Sequence, residues 1–240
     1  MFFLYRYQPQ KLLLFLILFG RQKGVKTVLS LAVICLVVFG LFFPLAVRGI
    51  NPVWLSLLCA ALMTGFTLFL VCGFTRKACS AILGCLGGLS VAGILAAVFS
   101  YAMRLSGIVD EEAAFLRFIS DEFVLDFKGL LFAAIIIGAS GAAMDVAVSI
   151  ASSLDELAQK APDLSARQLF SSGVVIGRDI MGTMSNTLIL AYVGGAIHLI
   201  LLLYAYPVPF SHLINRETVA AEILIALCGS MGMLSAIPLT

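Results

Sequence analysis

The chain has 240 residues, of which 62% are hydrophobic and only 12% charged; mean hydropathy is +1.11 and the formal net charge is +2. So few charged side chains cannot cover a water-exposed surface, and with so small a net charge nothing points to nucleic acid. The composition points to an all-α polytopic transmembrane helix bundle whose first partner is the lipid bilayer.

Taken in chain order, residues 1–26 read as an N-terminal cytoplasmic or interfacial segment, and 27–240 as the helix-bundle domain. The apolar run Leu12–Phe19 is too short to cross a membrane alone. Arg6, Gln8, Pro9, Gln10 and Lys11 interrupt the residues before it, so a re-entrant or interfacial segment is expected there. No small-residue cleavage site follows it, so no cleavable signal peptide is expected. About six spanning helices follow, each near the roughly 20 residues that cross a hydrocarbon core. They are Thr27–Val47, Val53–Val71, Ala78–Tyr101, Gly129–Ala151, Ser172–Leu203 and Ala220–Pro238. Cys35, Cys59, Cys72, Cys79, Cys85 and Cys228 sit in or beside these runs without CxxC spacing. They read as small buried hydrophobes, with no metal site and no cofactor expected.

Two connections are long enough to have structure. The loop from Leu105 to Phe127 is acidic, with Asp110, Glu111, Glu112, Asp121, Glu122 and Asp126. Phe115, Leu116, Ile119 and Phe123 recur in it at helical spacing, which predicts a short amphipathic helix lying on the membrane surface. In the other, Ser152–Ser171, the fourth helix is expected to run on to about Lys160 and break at Pro162. Ser165 and Gln168 have capping-box spacing for a new helix. Lys and Arg residues orient the chain. Arg6, Lys11, Arg21, Lys23, Lys26, Arg76, Lys77, Lys160 and Arg167 fall on one side, against Arg48, Arg104, Arg117 and Arg216, with Lys128 at that side's boundary. Both termini are therefore expected in the cytoplasm, with the acidic loop outside.

The fourth and fifth spans carry charge where lipid is expected. Asp145 lies well inside the fourth, at the end of the run Ile137–Asp145, and Arg178 and Asp179 are adjacent in the fifth. Each ionised group near a membrane centre costs roughly 2.5–3.5 kcal/mol, so the three need partners or water. Antiparallel helices would place both sets about 10 Å deep. The expectation is a buried Asp145–Arg178 pair, or a cation or proton relay in which one carboxylate changes protonation. Asp179, Thr183, Asn186 or Thr187, and Leu190 follow one helical face as a polar stripe. Gly138, Gly141, Gly173, Gly177 and Gly182 would let backbones approach closely.

Other motifs are weaker. Gly138-Ala-Ser-Gly141 matches the GxSG of rhomboid serine proteases, but their AHxxG partner motif is missing and His198 stands in an apolar run. The GxGD signature of intramembrane aspartyl proteases is absent as well. No catalytic residue is assigned and the chain is not expected to be an enzyme. Glu222 is expected to snorkel outward from the last helix. His212, Arg216 and Glu217 read as a solvated loop.

The runs GASGAAMDVAVSIASSLDEL and SSGVVIGRDIMGTMSNTLILAYVGG, between Gly138 and Gly195, resemble the signature of the YibE/F family of bacterial membrane proteins. The likeness extends more loosely through Gly49-Ile-Asn-Pro52 and Cys72-Gly-Phe-Thr-Arg-Lys77. With no large extracellular domain, the chain is similar to the shorter, YibF-type members. That resemblance implies the bacterial plasma membrane and a YibE-type partner, or a homodimer. A more distant similarity, to the membrane halves of SecD/SecF and the resistance-nodulation-division transporters, implies a role for Asp145 as their fourth-helix aspartate. Thr183, Asn186 and Thr187 would then match their polar fifth helix. Those proteins insert a large domain after the first helix, where this chain has only Arg48-Gly-Ile-Asn-Pro52. The function expected is a membrane subunit of an ion-coupled transport or export assembly. The alternatives are a non-transporting scaffold held by a structural ion pair and, third, an intramembrane hydrolase.

Overall fold

Four helices start where a side chain takes up an amide that the first turn leaves free. Asn51 Oδ1 accepts from Val53 N at 2.9 Å, just ahead of Pro52, whose missing N–H costs nothing at that position. Thr75 Oγ1 accepts from Ala78 N at 3.3 Å, and Asp126 Oδ1 from Gly129 N at 3.1 Å. Ser165 forms the expected capping box. Its Oγ accepts from Gln168 N at 3.4 Å, and Gln168 Oε1 accepts from Ser165 N at 2.9 Å. Such caps contribute about 1 kcal/mol each.

The computed structural model describes residues 8–109, 113–116, 125–205, 209, 211–212 and 215–240. Among them the protein is an all-α bundle. Helix α1 (Gln8–Cys35) has non-helical backbone at Arg21 (φ 48°) and continues through a π-helical stretch, Leu36–Phe42, into a last α turn, Phe43–Val47. Then follow α2 (Pro52–Cys72), α3 (Arg76–Ala102), α4 (Phe127–Lys160), α5 (Ala166–Gly195), α6 (Ile197–Ala205) and α7 (Glu217–Leu239). In the acidic loop 113–116 are helical, and Phe115 and Leu116 are exposed. Asp110, Glu111, Glu112, Ile119, Asp121, Glu122 and Phe123 lie outside the described residues.

Five helices are long and apolar enough to cross a membrane: Gly24–Val47, Pro52–Cys72, Arg76–Ala102, Phe127–Lys160 and Glu217–Leu239. The fifth expected span differs. Ser172–Leu203 is divided between α5 and α6 at Ala196, and α5 does not reach that apolar standard among the described residues. The polar residues that made this segment stand out also lower its hydropathy.

Helix α4 is the hub and packs on α2, α3, α5 and α7, whereas α1 lies against α2. Its Ile136, Ala139, Ala143 and Ala147 share a core with Leu68, Cys85, Leu89 and Ala236. Small residues bring helices close, which in lipid is where van der Waals packing must come from. Of the buried polar side chains, Ser56 Oγ donates to Val53 O at 2.9 Å within its helix, and Thr64 Oγ1 pairs with Cys85 Sγ of α3 at 3.6 Å.

Candidate functional site

Ala134, Gly138, Gly141 and Asp145 recur at alternating intervals of four and three, so they lie along one face of α4. All four are exposed on the surface of the bundle. The opposite face turns inward, with Ala139, Ala143, Val146, Ala147 and Ile150 buried. Asp145 lies about 24 Å along the axis from Gly129 at 1.5 Å per residue, within a hydrocarbon core about 30 Å thick if that core begins near Gly129.

Helix α5 presents a narrow inner edge. Ile180, Met184 and Leu188 pack with Val146 and Ile150 of α4 and Met233 of α7. Gly173 and Gly177 continue that edge and are the buried residues of α5. A Cβ at Gly173 would lie 3.0 Å from Leu154, and one at Gly177 would run into the Ile237 side chain. The other glycines of the pattern are open. Nothing lies within 4 Å of a Cβ built at Gly141 or Gly182, and only the Tyr192 hydroxyl, at 3.9 Å, approaches one at Gly138.

The expected burial of charge is therefore corrected. Asp145, Arg178 and Asp179 are all exposed, and Asp145 and Arg178 form no ion pair. The reason is angular. Consecutive helical residues point about 100° apart, so Arg178 and Asp179 fall on opposite flanks of an edge centred on Ile180 and Met184. A scaffold held by an Asp145–Arg178 pair inside the chain loses its premise.

Thr183, Asn186 and Thr187 are exposed on the Asp179 flank. Thr183 Oγ1 donates to Ile180 O at 3.0 Å, and Thr187 Oγ1 to Thr183 O at 2.9 Å. With those protons committed to the helix, both hydroxyls offer only lone pairs outward. A carboxylate, two hydroxyl oxygens and an amide oxygen along one flank form an acceptor-rich strip suited to a hard cation or a water chain.

The weaker motifs are placed as well. Ser140 is buried, its Oγ donating to Ile137 O at 2.6 Å, while His198 lies exposed on α6. Glu222 is half-buried and lines an apolar pocket with Tyr192, Leu199 and Ala226. Glu217 departs from a solvated loop. It opens α7, and its carboxylate accepts from Ser106 Oγ at 2.8 Å and Gly107 N at 2.8 Å. Nothing in local spacing marks a contact between residues so far apart in sequence.

Residues 11–240 match the family described as YibE/F-like protein. The chain belongs to that family. No curated protein and no solved structure matches it significantly. The YibE/F match spans all five membrane-length helices and includes the whole α4–α5 surface, so that surface is part of the family's own domain.

Proposed function

We propose that this YibE/F-like chain is a membrane subunit of an ion-coupled transport or export assembly in the bacterial plasma membrane. A second, homologous half covers the α4–α5 face, either a YibE-type protein or a second copy. The observation that carries this reading is Asp145, exposed on the bundle surface at membrane depth beside an α5 whose acceptor strip is exposed too. An ionised carboxylate facing hydrocarbon costs up to roughly 2.5–3.5 kcal/mol at the membrane centre and less toward its edge, and Asp179 adds to the cost, so a partner's surface or a water-lined cavity is favoured there. The resemblance of Asp145 to the fourth-helix aspartate of SecD/SecF and resistance-nodulation-division proteins supplies the ion-coupling part. Asp145 then binds a proton or cation in one state and releases it in another, with Thr183, Asn186 and Thr187 lining the way.

The test uses the full chain with whatever partner co-purifies, reconstituted in liposomes loaded with a pH-sensitive dye. Under an imposed sodium, potassium or pH gradient, the wild-type assembly is expected to move protons or exchange them for the cation. Asp145→Asn, a mimic of the protonated state, is expected to assemble normally and lose that flux. Retained flux in Asp145→Asn, or no flux in the wild type under any gradient, refutes the relay.

A further inference from the structure

A cavity of about 500 Å³ opens between the start of α2, the end of α3 and the start of α4, well away from the α4–α5 face. Its walls change character along the helix axes. Ala97 and Phe132, about a turn further in, are apolar, while Val53, Ser100, Tyr101, Arg104, Asp126 and Lys128 gather where the helices end. Tyr101 is 88% exposed and Trp54, in the first turn of α2, is 73% exposed. Aromatic rings standing out at helix ends mark the depth of the lipid headgroups.

The charges in the cavity do not cancel. Asp126 is committed as the cap of α4, its Oδ1 accepting from Gly129 N. Arg104 follows α3 in a left-handed conformation (φ 52°), with its N–H donating to Tyr101 O at 3.2 Å. Among the described residues neither Arg104 nor Lys128 takes part in an ion pair. Among the described residues that line the cavity, two cations against one capped carboxylate leave the lining net positive. An apolar wall below, a cationic rim above and a position at headgroup depth match a phospholipid's own layout.

We propose that this cavity binds an anionic phospholipid, with its phosphate between Arg104 and Lys128 and an acyl chain against Ala97 and Phe132. Trp54 is the chain's one tryptophan and follows Val53 of the cavity, so its fluorescence reports lipid around the start of α2, and the Arg104/Lys128 variants isolate the part that depends on the cavity. The experiment measures quenching of Trp54 by bromine-labelled phosphatidylglycerol and phosphatidylcholine in vesicles containing the full chain. Phosphatidylglycerol is expected to associate about fivefold more strongly, the preference that one net positive charge near a headgroup gives. Arg104→Gln/Lys128→Gln is expected to abolish the preference, while Arg104→Lys and the distant Lys77→Gln keep it. Equal quenching by both lipids, or a preference that survives in the double variant, overturns the proposal. Loss of the quenching difference on adding millimolar inorganic phosphate at constant ionic strength also overturns it, because the site then takes a free anion.

Discussion

Glu217, at the first turn of α7, closes on Ser106, just past the end of α3, and ties two helix ends together. One carboxylate takes the Ser106 hydroxyl, the Ser106 N–H and the Gly107 N–H. Hydrogen bonds to a charged group are worth about 1.5–3 kcal/mol, and partial exposure lowers that here. Glu217→Ala is expected to cost about 1–2 kcal/mol, and Ser106→Ala less, because the two amides keep their acceptor. Thermal unfolding in mild detergent checks this. Equal midpoints for Glu217→Ala and the wild type contradict the tie.

The same two helices meet at Gly88 and Gly232. A Cβ at Gly88 would collide with the Gly232 carbonyl oxygen, and one at Gly232 would lie 2.7 Å from Ala92 Cβ. Backbone cannot yield as a flexible side chain does, so Gly88→Ala is expected to destabilise by about 1–3 kcal/mol. Gly65, on α2, has nothing within 4 Å of a built Cβ. Gly65→Ala is expected to be neutral or to stabilise by about 0.5–1 kcal/mol, since alanine is the better helix former. Comparing the two unfolding midpoints separates close packing from helix propensity.

The positions and ends of α2, α3, α4 and α7 are legible because hydropathy and capping are local, whereas the division of Ser172–Leu203 between α5 and α6 is not. The Ser165–Gln168 box and the break after Lys160 fall where the sequence placed them. The facing of polar groups was not legible. Asp145 is two residues past Ala143 and one before Val146, and only the packing of α3, α5 and α7 around α4 decides which of these turns inward. Depth alone suggests Arg178 as the partner of Asp145, whereas both side chains are exposed and form no ion pair. Glu217 looked like loop because its partners lie more than a hundred residues away, at a separation no periodicity can reveal.

On the Lys and Arg bias, the acidic loop is expected outside and the Lys160–Arg167 connection in the cytoplasm. Cysteines introduced singly at Glu112 and Ala161, with the native cysteines replaced, are expected to differ in labelling by a membrane-impermeant maleimide on intact cells. The first should label and the second should label only after lysis. Labelling of Ala161→Cys from outside reverses the orientation.

We propose that the Asp145 face of α4 is covered in the assembly and does not meet lipid. Gly141 lies one turn before Asp145 on that face, with open space around its Cα. A spin label at Gly141→Cys, in the full chain with its co-purifying partner in native-lipid discs, reports collisions with oxygen and with a water-soluble nickel chelate. Ile94, 64% exposed on α3, provides the lipid-facing reference through Ile94→Cys. At Gly141→Cys, oxygen collisions are expected to be several-fold below those at Ile94→Cys, through contact with a partner or with water. Oxygen collisions equal to those at Ile94→Cys, together with no nickel access, would place Asp145 against bare lipid and contradict the covered face.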